Sequence, residues 1–170
     1  SQKHGRAGIP TGFPALDAMV VGLCPQHFWI VGGYSFMGKS TLLAQLTANV
    51  SISSHATGIV FSVEDSRRDK FLKLLSVIAD VPVMRILQHD YQWGDKERIA
   101  DALPIVRSWN LLIYDDVYTL AEMFLKAKKF KLKNKGELDY IAIDFIQNIK
   151  TPHREIYDSM RYAATELQRM

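Results

Sequence analysis

The run WIVGGYSFMGKSTLLAQL, residues 29–46, constrains this chain more than any other stretch. Gly33, Gly38, Lys39 and Ser40 fill every fixed position of the phosphate-loop pattern G-x-x-x-x-G-K-[ST]. The apolar residues 28–31 predict a strand before the loop, and the periodicity of residues 40–50 predicts a helix after it. The spacing has a physical reason. Two glycines let successive backbone N–H groups turn inward around an anion. The following helix points its positive dipole end at the same place. Gly33, Tyr34, Ser35, Phe36, Met37, Gly38, Lys39, Ser40 and Thr41 are therefore the expected nucleotide-binding residues. Lys39 can reach the outer phosphates, and the Ser40 hydroxyl can ligate Mg2+. The bland alternative is a chance glycine turn between strand and helix.

A phosphate loop needs a carboxylate on its metal side. Asp144 ends the apolar run TyrIleAlaIleAsp, where an acid is costly to bury unless it has a partner or a task. It is the expected metal-side residue, with a plain strand-end cap as the alternative. Hydrolysis also needs a group that polarises water. Glu64 follows the apolar run IleValPheSer by two residues, and parallel strands bring their C-terminal ends to one rim. Glu64 is the expected catalytic base, together with Lys39 as a catalytic cation. Otherwise it is a surface Glu opening the next helix. Asp115 and Asp116 end another strand and rank below it as capping or network residues.

Around these motifs the pattern alternates. Strands are expected at 28–31, 59–62, 111–114 and 140–144, and helices at 40–50, 66–79, 95–107, from Thr119 to about Lys133, and from about Arg154 to the end. Thr119 and Glu122 read as a capping box, and Pro104 weakens the helix that contains it. Alternating elements of this kind imply an α/β fold, a mainly parallel sheet with helices on both faces.

Composition excludes several classes. With 48% hydrophobic and 23% charged residues among 170, the chain has enough apolar material for one core and is not a disordered sequence. A net charge of +3 does not by itself argue for nucleic acid. The lysines of KAKKFKLKNK, 126–135, read first as a solvated helix face and second as a phosphate-backbone contact. Tyr91 and Trp93 read as residues packed on a nearby helix, with base stacking as the alternative. Cys24 is the single cysteine, so no intrachain disulfide can form and a reducing compartment is expected. No apolar run has the length to span a bilayer, and the five histidines have no metal-ligand spacing.

The motifs taken together resemble the replicative DnaB-type helicases. GlyIleProThrGlyPheProAlaLeuAsp (8–17) and GlyLeu (22–23) precede the loop, and SerPheMetGlyLysSer (35–40) is similar to that family's phosphate loop. PheSerValGluAspSer (61–66) resembles the motif that carries its catalytic glutamate, and IleAspPheIleGln (143–147) resembles its Walker B motif. The resemblance covers nearly the whole chain, with the motifs in the family's order. It implies a RecA-like P-loop ATPase core, the motor of a hexameric 5′-to-3′ helicase that uses ATP and Mg2+ and moves on single-stranded DNA. It further implies ring assembly, primase or a helicase loader as partners, no membrane, and a cytoplasmic setting in a bacterial or phage-infected cell. Gln147 falls where a switch residue would link nucleotide state to DNA-binding loops, or it is a plain polar loop residue. The alternative function is a RecA-like loader or regulatory ATPase that binds nucleotide and protein partners without unwinding; a recombinase-like strand-binding ATPase is a third. Residues 1–14 are expected as an arm or linker and 15–170 as the ATPase core. That core is expected to be truncated at its C-terminus, before the family's next strand, DNA loops and arginine finger. Two departures stand out: Tyr34-Ser35-Phe36-Met37 where the family often has Arg-Pro before Ser-Met-Gly-Lys, and Asp65 where it often has Met.

Overall fold

The structure is a computed structural model and describes residues 8–25, 27–153 and 155–167. Its centre is a parallel three-stranded sheet. Strands β1 (Gly58–Ser62), β2 (Leu111–Tyr114) and β3 (Tyr140–Asp144) lie in the order β2-β1-β3. β1 is therefore central, and it is buried along its whole length. Its register pairs Gly58 with both Leu111 and Tyr140, and Ser62 with Asp144. Such a strand must be apolar on both faces, which explains the unbroken run IleValPhe rather than an alternating one.

Seven helices are described: α1 (Pro14–Val20), α2 (Lys39–Ser53), α3 (Arg67–Ala79), α4 (Val83–Gln88), α5 (Asp95–Ser108), α6 (Leu120–Lys133) and α7 (Ile156–Leu167). Successive side chains of β1 point to opposite faces. Val60 packs with Ala44 of α2, Leu74 and Leu75 of α3, and Val106 of α5. Ile59 and Phe61 pack with Met123 and Phe130 of α6 and Ala163 of α7. The sheet is thus covered on both sides. Ser66 caps α3 by accepting from the Asp69 N–H, and Thr119 with Glu122 forms the expected capping box of α6. Pro104 sits inside α5 without ending it.

One expectation fails. Residues 28–31 form no strand, and Ile30 and Val31 are exposed. The strand expected before the phosphate loop is therefore absent, and three strands stand where four were expected. Apolar, β-favouring composition makes a strand only when a neighbour takes its N–H and C=O groups. Among the described residues no strand pairs with this segment. Two short helices, α1 and α4, were not anticipated. The Asp17 carboxylate organises the first, accepting from the N–H groups of Thr11 and Gly12 at 2.7 and 3.2 Å. Residues 8–13 lie against α2: Asn49 donates to the Thr11 carbonyl, and Ile9 packs with Val50. The last helix starts at Ile156; Arg154 and residues 168–170, where its ends were expected, lie outside the described residues, as do residues 1–7 of the arm.

Candidate active site

Gly38 stands at the N-terminal end of α2 with φ 81°, in the left-handed region that favours glycine. No side chain caps this helix, and the Leu42 N–H to Gly38 carbonyl bond of 2.8 Å is among its first. The N–H groups of Lys39, Ser40 and Thr41 are therefore left for an anion, which is what a phosphate loop requires. Residues 33–38 are exposed, and Phe36 takes a positive φ of 64°. Tyr34, Phe36 and Met37 all project into solvent from this loop. Lys39 turns back over it: its Nζ donates to the carbonyls of Gly33 at 2.9 Å and Tyr34 at 2.7 Å. The ammonium is thus held against the backbone at the start of the loop. Ser40 is half-buried in the first turn of α2, and Thr41 follows it on the exposed side.

The orientation of α2 places this loop at the C-terminal rim of the sheet. Ser51, near the end of α2, bonds the hydroxyl of Tyr140 at the start of β3, at 3.0 Å. Ala44, earlier in α2, packs in one cluster with Ala142. The two elements run antiparallel, so the start of α2 lies toward Asp144. At this rim β1 and β3 end together, and the Val63 N–H donates to the Asp144 carbonyl at 2.8 Å. The turn that carries Glu64 is thereby fastened beside Asp144. Glu64 is exposed, and its carboxylate makes no hydrogen bond or ion pair among the described residues. Asp144 is only 5% exposed. Its Oδ2 accepts from the Nζ of Lys70, itself 2% exposed, in a short charged contact. Lys70 also donates to Asp65 at 3.1 Å, and Lys73 donates to the same Asp65 oxygen at 2.6 Å. Burial pushes the Asp65 carboxyl up, but the bonds from Lys73 and Lys70 outweigh it and hold it below its ordinary value.

A family model described as the DnaB-like helicase C-terminal domain matches residues 8–169. The chain belongs to that family. It is 30% identical to the replicative DNA helicase DnaB of Leifsonia xyli subsp. xyli over 170 residues, covering 95% of this chain and 37% of the relative. It is 26% identical to the DnaB of Haemophilus influenzae, over 96% of this chain and 37% of the relative. The chain thus spans somewhat over a third of the length of these curated relatives. Among solved structures, a DnaB-like replicative helicase studied with primase superimposes with a TM-score of 0.86 at 19% identity, over 98% of this chain and 41% of that one. A second solved structure, of an ATPase domain, gives the same score and identity, over 99% of this chain and 61% of that one. The fold is the RecA-like α/β fold.

Within this DnaB-like domain the remaining expected residues sort by position. Gln147 lies exposed in a single 3-10 turn, Ile146–Asn148, directly after β3 on the same rim. Asp115 is a network residue: it accepts from the Arg67 backbone N–H at 2.7 Å and from its guanidinium at 3.4 Å, joining the end of β2 to the start of α3. That backbone donor is the main reason its carboxyl sits below the ordinary value. Asp116 pairs with Lys126 at 3.6 Å, and the lysines at 128, 129, 131 and 133 are exposed on the later turns of α6. Tyr91 bonds His89 at 3.2 Å, whereas Trp93 packs on no helix and is fully exposed. No cluster of three or more metal-ligating side chains occurs among the described residues, and no described helix is long and apolar enough to cross a membrane.

Sequence reasoning missed the Lys70–Asp65–Asp144 network. A signal was present. Position 70 falls on the same side of α3 as Leu74, so a lysine there is directed into the core. A buried lysine requires a carboxylate.

Proposed function

We propose that this chain is the ATP-hydrolysing motor domain of a replicative DNA helicase, one that assembles into a hexameric ring and unwinds duplex DNA by moving on single-stranded DNA. The observation that carries the reading is the meeting of three features on one rim: the uncapped start of α2 with its phosphate loop, the exposed Glu64, and Asp144 beside it. Family membership supports it, and primase or a helicase loader would be partners of the whole protein.

The residues present suit ATP with Mg2+. The free N–H groups at the start of α2 and the Lys39 ammonium are donors for phosphate oxygens. The Ser40 hydroxyl and the Asp144 carboxylate are hard oxygen donors, and Mg2+ in such sites takes one or two protein oxygens with the rest from phosphate and water. The bound metal would neutralise charge that develops on the phosphates. Lys39, drawn off the Gly33 and Tyr34 carbonyls, would bind the outer phosphates. Glu64, with no competing partner among the described residues, would orient the attacking water and accept its proton. Asp144 would hold the metal side of the site.

Two substitutions test the assignment. Lys39→Ala should lose most nucleotide affinity in a fluorescent-nucleotide titration. Glu64→Gln should bind as the parent does and turn over at least about a hundredfold slower. Normal hydrolysis by Glu64→Gln would remove Glu64 from the mechanism. Hydrolysis measured with and without single-stranded DNA, on this chain and on one carrying the flanking regions that its relatives have, tests the motor reading. Nucleotide binding without any DNA response in the longer chain would favour the loader or regulatory reading.

A further inference from the structure

The Lys70 network has a geometry that a simple stabilising ion pair does not need. Lys70 lies on α3, yet its ammonium is buried at the rim, where it touches two carboxylates from two different elements. One is Asp144, at the end of β3. The other is Asp65, in the turn directly after Glu64. The same turn is tied twice more: the Ser62 hydroxyl donates to the Asp65 carbonyl at 2.6 Å, and the Val63 N–H donates to the Asp144 carbonyl. Only Oδ2 of Asp144 is engaged by Lys70. Among the described residues its Oδ1 accepts no hydrogen bond, and no fully buried side-chain oxygen lacks a partner. Oδ1 therefore keeps some access to solvent.

Burying a lysine and an aspartate together is weak evidence for stability, because desolvation offsets most of their attraction. An arrangement that fixes one carboxylate oxygen and leaves the other free is what a ligand-orienting contact looks like. We propose that Lys70 is a positioning residue of the nucleotide site: it holds Asp144 with Oδ1 turned toward the metal and, through Asp65, clamps the Glu64 turn to the same point. This rests on the reading of the rim as an ATP–Mg2+ site. Lys70 touches neither nucleotide nor water; it sets the distance between the metal-side carboxylate and the base.

The test compares the parent with Lys70→Met, Lys70→Arg, Asp65→Asn and, as a control, Lys73→Met, whose lysine reaches Asp65 but not Asp144. Three quantities are measured: affinity for a fluorescent ATP analogue in EDTA, the gain in that affinity on adding Mg2+, and kcat with KM. Lys70→Met should bind metal-free nucleotide as the parent does. Its Mg2+-dependent gain and its kcat should each fall by roughly 10–100-fold, the usual loss when a ligand's supporting contact is removed. Lys70→Arg should restore most of both, and Lys73→Met should change neither. An unchanged Mg2+ gain and kcat in Lys70→Met, whatever its melting temperature, overturns the proposal. If Lys70→Met does not fold, Asp65→Asn decides: it keeps the Lys70–Asp144 pair but loosens the clamp. A lowered kcat with the Mg2+ gain retained supports the clamp, and unchanged kinetics overturn it. A parent that binds no nucleotide at all refutes the site itself and the Lys70 role with it, an outcome distinct from every variant result.

Discussion

At the scale of single residues, the most enclosed charge among the described residues is Asp95. Its side chain is fully buried and accepts from the Gln92 N–H at 2.8 Å and from Arg98 at 2.6 Å, and Arg85 forms a looser ion pair with it at 3.7 Å. The Gln92 N–H is the main influence holding its carboxyl below the ordinary value; burial opposes it, and the two arginines add to it. A carboxyl depressed in the folded state stabilises the fold in full above its unfolded value near 3.9, and that contribution is lost as pH falls through the folded value. Asp95→Asn should therefore lower the melting temperature at pH 7, and the gap to the parent should close as the pH is taken well below 4. A gap that stays constant down to pH 2 would show that the charge is not what stabilises this corner. Residues differed in how legible they were. Gly38 and Lys39 could be read from spacing because phosphate geometry dictates that spacing, and Asp144 stood out as an acid ending an apolar run. Lys70 could not, because its partners lie 5 and 74 positions away and only the fold brings them together.

At the scale of elements, the local signals with a hydrogen-bond mechanism held best. The Thr119–Glu122 box is one. The Thr119 hydroxyl accepts from the Glu122 N–H at 3.3 Å, and the Glu122 carboxylate accepts from the Thr119 N–H at 3.0 Å. Thr119→Ala should cost about 1 kcal/mol in chemical unfolding, the usual value for a lost N-cap, with nucleotide affinity unchanged because α6 lies on the sheet face away from α2. A loss of nucleotide affinity would mean that this face communicates with the rim. The strand expected at 28–31 failed for the opposite reason. Its signal was composition alone, and composition names no partner. Helices α1 and α4, with seven and six residues, are too short to show a period; α1 depends on the Asp17 bonds to Thr11 and Gly12.

At the scale of the whole molecule, Gly58 joins three elements. A Cβ there would lie 2.1 Å from Cζ of Tyr140, its partner in the neighbouring strand. The Tyr140 ring crosses over Gly58 to bond Ser51 of α2, and burial pushes its hydroxyl up to about 12. Gly58→Ala should displace the ring, break that bond and destabilise by about 1–3 kcal/mol, the range for overpacking. Gly58→Ala with Tyr140→Ala should cost less than the two changes added, and simple additivity would show that the ring is not the obstacle. The parallel order and the two covered faces followed from alternation of elements; the number of strands did not, since sheet size depends on pairing between distant segments.

The phosphate loop is built into the fold from one side only, by α2, while residues 28–33 leading into it pair with no strand among those described. Whatever free energy is needed to set that approach in place is subtracted from nucleotide affinity, so the measured dissociation constant reports the loop together with its lead-in segment. Linkage makes the dependence mutual: whatever factor a β-strand docked beside residues 28–31 contributes to nucleotide affinity, the nucleotide contributes to the docking of that strand.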